Sequence, residues 1–268
     1  EPDEILVVDR KRSKSSFAVS LPAVQRIVDT IGSVHNVHLA RLWSAHCLIL
    51  IEGDDLKILK QFQNILFPQS AQPFDAIPNM SIGGWGGWNY AVGSSMLLNN
   101  AIGESVMAYC ILDSDYHTEI EIEKRKLEAK ERHVNLHIWS KKEIENYLFV
   151  PTAIQRLIQS RVAKGTHPPT IKEISEQLGR IAMNMEDEVF DALSNELHYS
   201  QKRSLGPGVA NKEARKILKR KKEEPDGLLS IVSGKAVLSR MSEWSQTKFE
   251  VAFSPTAIVR SMRNSEVH

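Results

Sequence analysis

Cys110-Ile111-Leu112-Asp113-Ser114-Asp115-Tyr116 is the stretch of sequence that decides the fold. It ends an apolar run, Val106 to Leu112, with two aspartates one residue apart. This pattern is typical of a buried strand that delivers carboxylates to the carboxyl-terminal edge of a parallel sheet. Side chains two residues apart on an extended chain point the same way, so Asp113 and Asp115 could bind one cation or two adjacent ones. A strand followed by an Asx turn is the simpler interpretation of these residues.

A second apolar run upstream, Cys47 to Ile51, also ends in carboxylates, in Glu52-Gly53-Asp54-Asp55. From this point strand-like runs alternate with helical patterns. The strand-like runs cover 47–51, 80–82, 106–112 and 134–139, and the helical patterns cover 56–62, 89–99 and 119–132. Strands separated by helices indicate right-handed crossovers, so the sequence predicts an α/β fold with a small parallel sheet of about four strands.

Helical patterns dominate the chain after Trp139. Apolar residues recur at helical spacing over 152–161, 171–185, 186–197, 211–224 and 237–244. They predict a helical insertion or appendage over 151–232, and the chain past Pro255 carries no clear pattern and is expected to be disordered at its end. Before the sheet, residues 4–9 are strand-like and residues 21–43 have helical spacing, so 1–45 are interpreted as a linker or the tail of a preceding domain.

Composition excludes several classes of protein. The 268 residues contain 34 Lys and Arg against 33 Asp and Glu, so the overall charge gives no indication of a nucleic-acid partner. No apolar stretch is long enough to span a membrane and no signal-peptide pattern is present, which predicts a cytoplasmic protein. Cys47 and Cys110 both lie in apolar runs and are expected to be buried and unpaired. No Cys and His spacing typical of structural zinc occurs.

Acidic side chains follow three of the four predicted strands. They are Glu52 and Asp55, Asp113 and Asp115, and Glu143 and Glu145, whereas Gly83 and Gly84 follow the second strand. So many carboxylates in one crevice would repel each other without a divalent cation, and oxygen ligands favour Mg²⁺, Mn²⁺ or Ca²⁺ over Zn²⁺. Two such ions are the usual device for in-line displacement at a phosphodiester.

The order of these motifs over residues 46–150 resembles the Toprim domain, the catalytic module of primases, type IA and type II topoisomerases and several nucleases. The acid-glycine pair Glu52-Gly53 and the D-x-D sequence Asp113-Ser114-Asp115 carry this resemblance. Within that superfamily the chain looks most like the OLD (overcoming lysogenization defect) nucleases. The more specific motifs are Glu143-Ile144-Glu145-Asn146-Tyr147-Leu148 after the fourth strand and Ser233-Gly234-Lys235 near the end.

The resemblance implies a role for each matching residue. Glu52 and Asp55 would serve one metal position together with Asp113 and Asp115, and Glu145 or Glu143 would help to hold a second ion. Lys235 would neutralise charge that develops on the phosphate, and residues 233–268 would return to the sheet to bring it there. The family spacing is E-G-x-x-D, but here Asp54 and Asp55 come two and three residues after Glu52. Asp55 is favoured because it also suits the N-cap of the next helix.

The implied function is a two-metal endonuclease that cuts DNA with little sequence specificity, using Mg²⁺ or Mn²⁺, with Ca²⁺ as an alternative or non-catalytic ion. Phage defence is the implied setting.

In that family an ABC-type ATPase precedes the nuclease, and Glu1 to Val8 looks like the tail of such an ATPase. No P-loop is present, because Gly234-Lys235 lacks the upstream glycine and the following Ser or Thr. A second copy of the chain is a possible partner. The alternatives are another Toprim chemistry, as in primases or topoisomerases, and a non-catalytic DNA-binding module.

A basic segment at 211–224 has seven basic residues against three acidic ones. Such a run is usually a solvated helix face, but in a nuclease it would contact the phosphate backbone without sequence preference. The residues predicted to bind DNA are Lys212, Arg215, Lys216, Lys219 and Arg220. Trp85 and Trp88 could stack on bases but are expected to pack on the sheet. His117 could contact substrate but is expected to be solvated.

Overall fold

The computed structural model describes residues 6–7, 16–17, 47–74, 76–101, 107–200, 206–225 and 227–267. Strands β1 (Leu6–Val7) and β2 (Ser16–Phe17) form a short antiparallel pair. The helical pattern predicted over 21–43 lies outside the described residues.

The centre of the fold is a four-stranded parallel sheet. Its strands are β3 (Cys47–Ile51), β4 (Asn79–Ser81), β5 (Met107–Leu112) and β6 (Val134–Ile138), in the order β4-β3-β5-β6. Helices α1 (Leu56–Leu66), α2 (Trp88–Ala101) and α3 (Glu119–Glu131) connect them in turn. The small parallel sheet flanked by helices is therefore confirmed, and its strand order reverses between β3 and β5, where parallel sheets open a crevice.

Both faces of the sheet are covered, and β3 shows why its sequence is continuously apolar. Leu48 and Leu50 pack into one buried cluster with residues of α2 and α3, including Trp88 and Ala129. Ile49 and Ile51 belong to the other cluster, together with α1 and the helices that follow residue 150. Alternate residues of a strand point to opposite faces, so a strand with two buried faces must be apolar throughout.

In the described part of the chain, six α-helices follow the sheet: α4 (Pro151–Gln159), α5 (Ile171–Asn184), α6 (Glu186–Ser200), α7 (Pro207–Glu223), α8 (Gly234–Phe249) and α9 (Pro255–Ser261). The start of α5 is fixed by a capping box in which Thr170 and Glu173 satisfy each other's backbone N–H groups. Buried residues of these helices share one core with Ile49 and Ile51, so the helical region packs directly on one face of the sheet. The domain boundaries predicted at 150 and 232 stay predictions.

The end of the chain differs from the prediction of disorder. Residues 255–261 form α9, whose first turn begins at Pro255 and is capped by the Ser254 side chain, and Ile258 and Val259 are fully buried. Glu266 pairs with Arg156 of α4, which ties the last residues to the core. A seven-residue helix has two turns, too few for its apolar spacing to stand out in the sequence.

Two smaller expectations can be compared with the structure. Both cysteines are buried and free, as predicted. Among the described residues, no helix has the length and apolar character needed to cross a membrane.

Candidate active site at the carboxyl edge of the sheet

The two central strands bring Glu52 and Asp113 together. Ile51 and Ile111 are paired in the register of β3 and β5, so the residues that follow these strands leave the sheet at nearly the same level. The backbone N–H of Asp113 points to Oε2 of Glu52 at 3.4 Å. The motifs after the first and third predicted strands therefore lie side by side, at the point where the strand order reverses.

Two hydrogen bonds hold Asp113 in place, one to its side chain and one to its backbone carbonyl. Its side chain is buried, and Oδ1 accepts a hydrogen bond from the backbone N–H of Ile144 at 3.2 Å. Its carbonyl oxygen accepts a hydrogen bond from the indole of Trp85 at 2.8 Å. The carboxylate is thus oriented by the chain before any ligand is bound.

Asp55 is the buried member of the Asp54 and Asp55 pair. Its exposed fraction is 3 %, whereas the Asp54 side chain is 88 % exposed and pairs with Lys57 at 3.0 Å. Asp55 occupies the N-cap position of α1, as predicted, but its side chain makes no capping hydrogen bond. Its Oδ2 atom is buried and has no hydrogen-bond partner in the described chain. An oxygen in this position usually has a ligand, water or ion as its partner.

The glycines after β4 make room for Glu52. Gly84 has a φ of +73°, and a Cβ at this position would lie 2.4 Å from Oε1 of Glu52. Any larger residue would therefore force the Glu52 carboxylate to move. Trp88, in the same motif, is 2 % exposed within the core, and Trp85 is half-buried, so the prediction that these tryptophans pack is confirmed.

The sequence after β6 forms a short 3₁₀ turn, Ile144–Leu148, that presents Glu145 to the crevice. Glu145 is buried, and its Oε2 atom has no hydrogen-bond partner among the described residues. Asn146 in the same turn donates two hydrogen bonds, to the carbonyl oxygens of Leu229 at 2.8 Å and Val232 at 2.9 Å. This side chain fixes the segment that leads into α8.

Lys235 reaches the acidic residues through that segment. A Cβ on the preceding Gly234 would come within 2.8 Å of both Glu145 Cβ and the Asn146 backbone nitrogen, so only glycine allows this approach. The Lys235 ammonium lies 3.9 Å from Oε1 of Glu145, and its backbone N–H points to Glu143 at 3.3 Å. We refer to Glu52, Asp55, Asp113, Glu145 and Lys235 together as the sheet-edge site.

Asp115 and Glu143 have a different partner. Both contact the ammonium of Lys142, at 3.2 Å from Asp115 and 2.7 Å from Glu143. The sequence did not point to Lys142, because a lysine beside a glutamate is common and only the fold brings Asp115 to it. A cation held by these two carboxylates would have to displace the ammonium.

Burial and mutual repulsion raise the pKa of the sheet-edge acids. Burial is the largest cause for Asp113, whose pKa is raised to about 8, and the charges of Asp55 and Glu52 add to it. Burial and then Glu145 raise the pKa of Asp55 to about 7. The pKa values of Glu52 and Glu145 are also raised, mainly by burial. Burial opposes ionisation of Glu143 too, but the Lys142 ammonium, together with hydrogen bonds from Ser233 and the Lys235 backbone, outweighs burial and lowers the pKa of Glu143.

The donor set at the sheet-edge site suits a hard divalent cation. It offers carboxylate oxygens only, two of them buried without partners. No three of these side chains bring ligand atoms within 4.8 Å of one another; among the described residues that arrangement occurs at His117, Glu121 and Glu196. Mg²⁺ in proteins commonly takes one or two carboxylates and completes its shell with water and substrate phosphate, so an open site of this kind fits it.

The residues predicted to bind DNA lie on α7. Lys216 pairs with Glu213 at 2.9 Å, and Arg220 lies 3.6 Å from Glu119 at the start of α3. Lys212 and Lys219 have no ion pair within the described part of the chain, and Arg215 lies over the ring of Phe190.

The sequence missed one further group of residues. His117 is half-buried, not solvated as predicted, and contacts Glu121 and Glu196.

The raised pKa of Asp113 predicts how stability depends on pH without metal. The unfolded carboxyl ionises near pH 3.8 and the folded one near pH 8, so between these values the folded chain keeps a proton that the unfolded chain has lost. Stability therefore falls as the pH rises through this window. Asp113→Asn should remove the penalty and raise the free energy of unfolding by about 1 to 3 kcal/mol at pH 8.

Thermal unfolding in EDTA at pH 5 and pH 8 tests this expectation. The gain from Asp113→Asn should grow with pH, whereas the exposed control Asp54→Asn should change the melting temperature equally little at both values. A destabilised Asp113→Asn protein at pH 8 would show that the carboxylate is not strained in the folded state.

Comparisons with protein-family models, with curated proteins and with solved structures find no match for this chain. The resemblance to Toprim domains and OLD nucleases thus rests on the motifs and their order along the chain. The α/β architecture with a small parallel sheet is consistent with that resemblance.

Proposed function

We propose that the protein is a divalent-metal-dependent nuclease that hydrolyses DNA phosphodiester bonds at the sheet-edge site. One observation carries the proposal. Four acids from three separate motifs lie together with one lysine at the edge of the sheet, where the strand order reverses. Their raised pKa values mean that the folded chain holds these acids together at an energetic cost, which a bound cation would relieve. Acids in a crevice whose pKa values are raised by burial and neighbouring charges are typical of functional sites rather than of interactions that stabilise the fold.

Glu52, Asp55, Asp113 and Glu145 are the proposed ligands. Asp113 is already oriented by the Ile144 N–H, and Asp55 and Glu145 each present a buried oxygen without a partner. Mg²⁺ or Mn²⁺ bound here would supply an activated water and a counter-charge for the phosphate. The two-ion form of the mechanism would add Asp115 and Glu143, at the expense of their contacts with Lys142.

Lys235 is proposed to contact the scissile phosphate. Its side chain is 58 % exposed although its backbone is anchored beside Glu143, so the ammonium can turn from Glu145 to a substrate in the crevice. Burial opposes its charge, but the surrounding carboxylates outweigh that effect and raise its pKa, so it stays protonated at neutral pH. A permanent positive charge there would stabilise the charge that develops on the phosphate in the transition state.

Helix α7 is proposed to bind the phosphate backbone. Arg220 near the end of this helix lies beside Glu119, which follows the loop that carries Asp113 and Asp115. A duplex in the crevice would thus pass close to this end of α7. Lys219 lies near this end of α7 and Lys212 about two turns before it. They are the best candidates for phosphate contacts, because neither has an ion pair among the described residues.

Plasmid cleavage tests the nuclease proposal. Supercoiled plasmid should become nicked or linear with Mg²⁺ or Mn²⁺ and stay intact with EDTA. Asp113→Asn and Lys235→Met should each lower the rate by at least about a hundredfold, because each removes a group that acts in the transition state. The matched controls are Asp54→Asn and Lys172→Met, which change exposed side chains of the same types.

Either of two results would contradict the nuclease proposal. One is cleavage that survives in both Asp113→Asn and Lys235→Met, which would point to a contaminating nuclease. The other is a plasmid that shifts on a gel but stays intact with every metal, which would favour a DNA-binding module without catalysis.

Salt dependence tests the role of α7. Each phosphate contact contributes about 0.9 to the slope of log affinity against log salt concentration, so Lys212→Ala with Lys219→Ala should lower that slope by about 1.8. Fluorescence anisotropy with a labelled duplex in Ca²⁺ measures it, with Lys172→Ala as the control. An unchanged slope would remove α7 from the DNA-binding surface.

A further inference from the structure

A second cluster of possible metal ligands lies apart from the acids of the sheet-edge site. We name His117, Glu121 and Glu196 the His117 cluster. Nδ1 of His117 lies 3.2 Å from Oε1 of Glu196 and 3.7 Å from Oε2 of Glu121. The three ligand atoms are all within 4.8 Å of one another. We propose that this cluster binds a first-row divalent transition-metal ion such as Zn²⁺.

The distances favour a shared cation over a hydrogen bond. Two ligands about 2.0 to 2.1 Å from a tetrahedral Zn²⁺ are about 3.3 to 3.4 Å apart, and the observed separations lie on either side of that value. Nδ1 is buried and has no hydrogen-bond partner in the described part of the chain, although Oε1 of Glu196 lies only 3.2 Å away. Oε2 of Glu121, at 3.7 Å, is too far for a hydrogen bond. A buried nitrogen without a donor or acceptor partner is unusual and is explained by a ligand between it and the oxygens.

The surroundings of the cluster hold the ligands in place. Oε2 of Glu121 accepts hydrogen bonds from the backbone N–H of Thr118 at 2.8 Å and from its hydroxyl at 2.9 Å. The imidazole of His117 packs on Trp85 with ring centroids 3.8 Å apart. Hydrogen-bonded carboxylates and an oriented imidazole are the supports that metal ligands generally have.

The donor set indicates the class of metal. One imidazole nitrogen with two carboxylate oxygens suits Zn²⁺, Co²⁺ or Mn²⁺ better than Mg²⁺, which prefers oxygen ligands alone. Three protein ligands also leave a position for water. The His117 cluster therefore differs in its metal preference from the sheet-edge site, where every donor is a carboxylate.

A metal ion here would link the helical region to the sheet. His117 and Glu121 come from the loop after β5 and the first turn of α3, whereas Glu196 comes from α6. His117 is two residues from Asp115, so the ion would fix the loop that carries the D-x-D motif against the helices. Binding would not depend on nuclease activity, so this inference and the proposed function can fail separately.

Cobalt binding tests the inference directly. The 268-residue chain, freed of metal by chelation and carrying Asp113→Asn to weaken the sheet-edge site, is titrated with Co²⁺ while its visible d–d absorption is recorded. We expect bands that saturate at about one ion per chain. Glu196→Gln should weaken Co²⁺ binding by at least about tenfold, and Zn²⁺ should displace the bound ion.

The control is Glu188→Gln, which changes an exposed glutamate of the same helix that pairs with Arg240. Circular dichroism identifies any variant that fails to fold, and His117→Asn then replaces Glu196→Gln as the test variant. Absence of visible bands in the parent protein would overturn the inference. So would bands of equal strength in the Glu196→Gln and Glu188→Gln proteins.

Discussion

Repulsion among the buried carboxylates of Glu52, Asp55, Asp113 and Glu145 is the constraint on which the rest of the site depends. Each acid is buried or half-buried, and burial together with the neighbouring charges raises its pKa. Apolar side chains at these positions would avoid this cost to the free energy of folding. The lysines at positions 142 and 235 offset part of the repulsion, and the remainder would favour the proposed cation.

Asn146 links the acidic turn after β6 to the segment that leads into α8. Its side chain accepts from the Glu143 backbone and donates to the carbonyl oxygens at 229 and 232, so one residue joins the turn after β6 to the segment before α8. Gly234 then brings the α8 backbone against that turn. The sheet alone would supply only the acids, whereas the packing of α8 supplies Lys235. The start of α8 is therefore part of the proposed site.

The sequence was sufficient for the sheet and for placing Glu52, Asp55 and Asp113 near one another, because both depend on local patterns. Apolar runs that end in acids predicted parallel strands with carboxylates at one edge, and strand register then required Glu52 and Asp113 to be neighbours. Contacts between segments that are distant in the sequence could not be predicted in this way. Nothing local indicates that Glu196 of α6 reaches His117, or that Lys142 lies between Asp115 and Glu143. The missing capping hydrogen bond at Asp55 has the same origin, because the residue holds the N-cap position while its side chain is buried among acids from distant segments.

Proton release on metal binding tests most directly whether the sheet-edge acids form a cation site. Mn²⁺ is titrated calorimetrically at pH 7 into protein that carries Glu196→Gln, in two buffers of different ionisation enthalpy. Because the pKa values of Asp55 and Asp113 are raised to about 7 and about 8, binding should expel on the order of one proton per ion, and Asp113→Asn should reduce that number. Absence of binding heat, or binding that releases no protons, would contradict the account.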